Sequence, residues 1–428
     1  MAPDTPDARD RVLDLMRVVC VLPVVLGHLL MMGATLRPGA LRLDNVLAAQ
    51  PWLPPVTWVA QIMPLFFIIG GGFAGHRAWT AAAAAGLTPA EFIRGRILRL
   101  ARPAAPLFLA LTSGILVLQW SGVDRASVLL IGAGVTSALW FLAAYAFSQA
   151  FLPGMVELHA RARVLTLLVL LGCAIVVEAG RLSSGLAVIG IFNMIFIWLF
   201  LQQLGFWVAD GWFARRGRAA LLLLAADSFL LLWGMVQTGL SRVNILEDLN
   251  PPSLALTVLS VGQFALLALA RPVLHRIAAL APVRVLVGAI GARLITIYLW
   301  HVPVIALLVG LTLLTPWGGP APETPLWWWT RPAYFAATVA ALFLLSALLG
   351  RLEWPVLRRI GDRAAADWAV SVSTLLIVLA PFCLMVFGLN VWVAATGTLA
   401  LAASVGLQRM RRTVTIRAEM TVPLIRGL

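Results

Sequence analysis

The chain carries one apolar run after another, each about 20 residues long and joined by short, arginine-rich connectors. A run of that length crosses the ~30 Å hydrocarbon core of a bilayer as an α-helix. Hydrocarbon cannot satisfy a backbone N–H or C=O, so such runs must be helical. Of the 428 residues, 61% are apolar and 12% charged, more apolar surface than a soluble chain of this length can hide. The sequence predicts an all-α, polytopic membrane helical bundle of about 12 transmembrane helices. Their limits are 12–34, 56–76, 103–120, 126–151, 164–180, 184–206, 219–239, 253–270, 293–315, 333–350, 368–388 and 390–407. No connector reaches the ~50 residues of a soluble domain, so chemistry must occur within the bundle or at its mouths. No internal repeat is visible.

The formal net charge is +14, and all 32 basic residues are arginine. They sit between apolar runs, which fits a topology signal better than nucleic-acid binding. Connectors 35–55, 121–125, 181–183, 240–252 and 316–332 together hold six of the 32, namely Arg37, Arg42, Arg125, Arg181, Arg242 and Arg331. The other connectors hold most of the rest and are expected on the cytoplasmic side, with both termini, in the cell (cytoplasmic) membrane. The first run has charges within it and no small-residue cleavage site, so no cleavable signal peptide is expected. Cys20, Cys173 and Cys383 lie inside apolar runs without disulfide or metal spacing.

Against this background the first run is unusual. Arg17 and His28 lie eleven positions apart within it, close to three helical turns, so they share one face roughly 16 Å apart. Asp14, three residues before Arg17, falls on the same stripe. Titratable groups in a membrane helix usually face a bundle interior or a wet cavity. His28 can serve as a general base, and Arg17 presents paired donors suited to a phosphate. A snorkelling arginine and a histidine bonded to a neighbouring helix account for the same residues. Elsewhere, Gly70–Gly72 in the second run suits close helix packing. Arg94, Arg96, Arg99 and Arg102 form a basic connector that suits lipid head groups, a nucleotide-bearing donor or topology alone. His301 is a second intramembrane histidine, and Glu353 stands at the inner rim. His76, His159 and His275 carry no assigned role, and no metal ligand set is expected.

Taken in order, Arg11-Val-Leu-Asp14-Leu-Met-Arg17 with His28, Pro64-Leu-Phe-Phe67, the basic segment Arg94–Pro103, Leu139-Trp-Phe-Leu142, Tyr298-Leu-Trp-His301-Val-Pro303 and Glu353-Trp-Pro355 resemble acyltransferase family 3, the integral membrane O-acyltransferases. The resemblance runs from residue 11 to about 355. It departs at Gly70, where the family commonly has serine. It implies a ten-helix acyltransferase core at 12–360, preceded by a cytoplasmic N-terminus at 1–11. An additional transmembrane pair at 361–407 and a basic cytoplasmic tail at 408–428 would follow. It also implies transfer of an acyl group, acetyl above all, from acyl-CoA as co-substrate, with no bound cofactor, to a hydroxyl-bearing acceptor. That acceptor would be a carbohydrate, a lipid-linked glycan of the cell envelope or a small natural product. The expected catalytic residues are His28, Arg17 and Asp14, supported by His301 and Glu353, with Arg17, Arg94, Arg96 and Arg99 binding the donor. Two other readings stand beside this one: a 12-span secondary transporter using Arg, Asp and His as a proton relay, and a catalytically inactive accessory protein.

Overall fold

The computed structural model describes residues 11–37, 40–213, 215–361 and 366–408, without the side chains of 40 and 351–361. The N-terminal stretch before Arg11, the tail after Gln408 and the side chain of Glu353 therefore lie outside the described residues. The chain opens with α1 (Arg11–Met31), which runs directly into an antiparallel hairpin, β1 (Met32–Arg37) and β2 (Ala40–Asn45). Then come α2 (Leu53–Ala60), α3 (Met63–Phe66), a π-helical segment (Phe67–Phe73) and α4 (Ala74–Ala84). Next are α5 (Pro89–Trp120), α6 (Arg125–Thr136), α7 (Trp140–Ser184), α8 (Asn193–Ala209), α9 (Arg218–Gln237) and α10 (Leu254–Ala279). The remainder is α11 (Ala281–Gly291), α12 (Leu294–Leu313), α13 (Pro325–Gly361), α14 (Asp367–Phe387) and α15 (Val391–Leu407).

Ten helical stretches among the described residues are long and apolar enough to cross a membrane. One of them, Arg125–Ser184, has 60 residues. As a straight helix it would run about 90 Å, three times a bilayer core. The backbone breaks at Ala162, whose φ of −153° and ψ of 56° are not helical. The sequence-predicted spans 126–151 and 164–180 fall on either side of that break. α15, with 17 residues, is apolar but shorter than the ten.

The structure departs from the sequence reading at several connectors; 271–292, for one, is the end of α10 and α11. The stretch after α1 is the hairpin. The basic segment around Arg94–Arg102 is the N-terminal part of α5, not a loop. Its helix starts early because Thr88-Pro89-Ala-Glu91 is a capping box. The Thr88 hydroxyl accepts from the Glu91 N–H at 3.3 Å, and the Glu91 carboxylate accepts from the Thr88 N–H at 2.9 Å. Pro89 supplies a preset φ at the first turn.

Glycines set the closest crossing. The π-helical segment lies on α8, and an added Cβ at Gly72 would stand 2.4 Å from the Gln202 carbonyl oxygen and 2.7 Å from the Gly205 Cα. At Gly205 it would stand 2.2 Å from the Ile68 carbonyl oxygen. Backbone meets backbone there, as small residues allow in membrane bundles. The C-terminal pair is equally well seated. α14 and α15 pack together and onto α5, the Ser373 and Ser404 hydroxyls meet at 2.6 Å, and the Thr112 and Thr398 hydroxyls at 2.9 Å.

Gly72→Ala and Gly205→Ala are each expected to destabilise the protein by about 1–3 kcal/mol, because backbone must move apart. Gly114→Ala in α5, where an added Cβ meets nothing within 4 Å, should be neutral or gain up to about 1 kcal/mol. Thermal midpoints in detergent check this, and equal midpoints for all three would refute the tight crossing.

Candidate functional site

α1 packs against α12, and that contact brings together two histidines 273 positions apart in the chain. Both side chains leave helices through an apolar environment, and their first partners are backbone carbonyls of their own helices. His28 Nδ1 lies 2.9 Å from the Val24 oxygen, and His301 Nδ1 lies against the Tyr298 oxygen. A carbonyl only accepts, so each Nδ1 carries its proton. That assigns the tautomers from the partners. His301 Nε2 is then an acceptor, 3.3 Å from His28 Nδ1. The two rings meet edge to face, with centroids 4.8 Å apart and planes at 78°. In the neutral ring the lone pair then falls to His28 Nε2. This is the form of imidazole that can take a proton. The residue before it, Gly27, borders open space, where an added Cβ would meet nothing within 4 Å.

The pair rests on buried structure. His301 is fully buried. Tyr298, one turn earlier in α12, donates its hydroxyl to the Ala138 carbonyl at 3.0 Å and packs on Phe141 with ring centroids 4.4 Å apart. Phe141 in turn meets Phe66 and Phe67. Three separate motif segments, around residues 66, 141 and 298, thus form one aromatic layer behind the histidines.

Toward the arginine-rich end of α1, Arg17 pairs with Asp14 at 3.5 Å. Arg96 of α5 lies within electrostatic reach of Arg17, Arg99 and Tyr145, and its guanidinium stands 5.0 Å from the Phe92 ring centroid. Arg17, Arg96 and Arg99 therefore collect positive charge at one end of the stripe that ends at His28. Such clustered guanidiniums suit a polyanion. Arg94 is directed elsewhere: it is buried and donates to the Gln408 carbonyl at 3.0 Å, at the end of α15. Along a helix, two residues are about 200° apart, so Arg94 and Arg96 face opposite ways. Asp14, Arg17 and His28 thus share one stripe of α1, with His301 against its far end and Arg96 near Arg17. Glu353 lies outside the described side chains.

Sequence reasoning missed Tyr145 and Gln149 on α7. Gln149 is 1% exposed, and neither its amide oxygen nor its nitrogen has a hydrogen-bond partner among the described residues. A buried amide without partners costs stability unless a ligand or water supplies them. A glutamine inside an apolar run was the available signal. At Gly70, where the motif commonly has serine, an added Cβ would stand 3.6 Å from the Phe66 ring, ordinary contact that leaves room for serine. His159 serves the frame: its ring nitrogens meet Gln203 at 2.8 Å and Asp210 at 3.1 Å, tying α7 to α8. Among the described residues, no group of three His, Cys, Asp or Glu side chains could hold a metal ion.

Comparison with curated proteins and with solved structures yields no match. A family model described as an acyltransferase domain matches residues 10–351, which takes in α1, the π-helical segment, the arginines of α5 and the histidine of α12. The matched stretch is most of the chain, and the motifs that converge in space are those it covers: the protein belongs to acyltransferase family 3.

Proposed function

We propose that the protein is an acyl-CoA-dependent O-acyltransferase of the cell (cytoplasmic) membrane, with twelve crossings and both termini on the cytoplasmic side. The observation that carries this reading is the contact of His28 with His301 at the far end of a helix whose near end gathers arginines. The donor's phosphates bind Arg17, Arg96 and Arg99, with Asp14 orienting Arg17. The acyl thioester then reaches His28 from the cytoplasmic side, where acyl-CoA is made. The acceptor's hydroxyl gives its proton to His28 Nε2 as its oxygen attacks the thioester carbonyl. The new C–O bond forms, the C–S bond breaks, and the imidazolium returns the proton to the departing thiolate. An ester and free CoA thiol result, with His28 restored. His301 is a positioning residue that acts through His28 by holding its ring. Acetyl is the acyl group favoured by the family, and the acceptor is a hydroxyl-bearing glycan or lipid-linked compound.

General-base catalysis contributes about 10²–10⁴-fold. His28→Ala should therefore lower kcat by that factor in a radiolabelled acetyl-CoA transfer assay while the protein stays inserted and folded. Wild-type turnover would end the assignment. His301→Ala should cost less, and the double variant no more than His28→Ala alone, because His301 acts only through its partner. Full additivity would instead give His301 an independent role.

Arg17→Ala should chiefly raise the KM for acyl-CoA. Loss of a charge-assisted contact of about 1.5–3 kcal/mol corresponds to roughly 10–150-fold. A fall in kcat with KM unchanged would place Arg17 at the reacting carbonyl and not at the phosphates.

A further inference from the structure

A cavity of about 310 Å³ lies between α1, the π-helical segment, the end of α8, α9 and α10. It is separate from the stripe of α1 described above: Asp14, Arg17 and His28 do not line it, and no residue of α5 does. Three of its lining residues are Arg216, Arg218 and Arg271, and every other one is apolar.

The two kinds of residue are sorted by depth. α9 begins at Arg218, and Leu221 stands one turn further in. α10 ends on the same side, so from Arg271 the cavity runs inward past Leu267, one turn away, to Phe264, roughly 10 Å along the axis. The three arginines are exposed, whereas Leu221 and Phe264 are buried. The mouth is therefore cationic and the interior is hydrocarbon-like. Among the described residues no carboxylate pairs with any of the three guanidiniums. Arg216 instead lies over the Trp212 ring, 4.3 Å from its centroid. That contact uses the flat face of the guanidinium and leaves its edge of N–H donors to an outside acceptor. A fitting occupant supplies both an anion for the mouth and an apolar chain for the interior.

Size narrows the choice. Ligand pockets commonly measure about 300–1,000 Å³, so this one is small: it suits a single hydrocarbon chain and not a nucleotide with its arm. The mouth also lies on the arginine-rich side, where the proposed topology sets the anionic leaflet, and basic pockets between spanning helices on that side suit phospholipid head groups. We infer that the cavity seats one chain of an anionic phospholipid, whose phosphate is held by Arg216, Arg218 and Arg271. Val12 and Met16 form part of its wall, so the bound lipid braces α1 next to Arg17 and steadies the helix that also carries His28.

The test uses the full chain in detergent micelles with a phosphatidylglycerol carrying a diazirine in one chain. The expected result is labelling at residues 12–16, 218–221 and 264–274, with a rise in thermal midpoint that phosphatidylcholine does not give. An arginine near an anionic head group is worth about fivefold in affinity. Arg218→Gln with Arg271→Gln should therefore weaken binding by roughly 20–30-fold. Arg276→Gln with Arg284→Gln removes equal charge on α10 and α11 outside the cavity and should leave binding nearly unchanged. Ala268→Phe fills the interior and should abolish the labelling without touching a charge, its own thermal midpoint reporting that it folds. Labelling or stabilisation that is equal with phosphatidylcholine, or unmoved by the Arg218 and Arg271 pair, means bulk lipid only and overturns the proposal. Equal stabilisation by inorganic phosphate alone makes the site one for a free anion and overturns it too. So does loss of the labelling on adding acetyl-CoA, which would give the cavity to the donor. None of these readouts uses the transfer reaction, so the lipid site stands or falls apart from the acyl-transfer reading.

Discussion

Hydrocarbon offers no hydrogen bonds, and the placement of polar side chains in this bundle follows from that single fact. An amide or hydroxyl moved out of water without a partner costs several kcal/mol. The chain answers with contacts made inside the protein. His28 and His301 turn to carbonyls of their own helices. Gln203 donates to the Met155 carbonyl, which aims its amide oxygen at His159. Ser373 and Ser404 exchange hydrogen bonds across α14 and α15. The same logic that stabilises the frame also selects one tautomer at the site, because a carbonyl can meet only a protonated nitrogen. Stability and proton inventory are set together, by the same atoms.

Charge is arranged with equal economy. Along α1 the cation and the base are separated by about three turns, so the guanidinium does not oppose protonation of the imidazole at close range. Arg17, Arg96 and Arg99 keep some exposure, whereas His301 is fully buried. A ligand with a polyanionic end and an uncharged reactive end fits that gradient in one orientation only. Binding energy gained at the distant arginines can thus be applied to position the reacting group.

Much of this was legible from residue order alone. α12 (Leu294–Leu313) lies within the span 293–315 read from the apolar run, and the spacing of Arg17 and His28 already put them on one face. The contact between His28 and His301 was not legible, because pairing across 273 positions is a tertiary fact that no local period encodes. The start of α5 was missed for a different reason. Its arginines read as polar connector, while the capping box at Thr88 and Glu91 was the stronger signal. Once that helix is granted, the opposed directions of Arg94 and Arg96 follow from the 100° step per residue. The hairpin hid in the same way, as two short runs beside a membrane helix that dominated the reading. The π-helical segment has no such local signature beyond its glycines, since its register is imposed by the approach of α8.

The family match ends at residue 351, yet α5 is not complete there. Its flank is closed by α15, where an added Cβ at Gly397 would press on the Phe108 ring at 2.6 Å, and Arg94 is held by the carbonyl of Gln408. α5 is made well before α15. The helix that carries the arginines beside Arg17 must wait, partly undressed, until α15 has left the ribosome. A prematurely terminated chain would carry every family motif and still lack the wall that steadies them. Synthesis of α15 thereby becomes a condition for steadying α5, a dependence that no motif in the sequence announces.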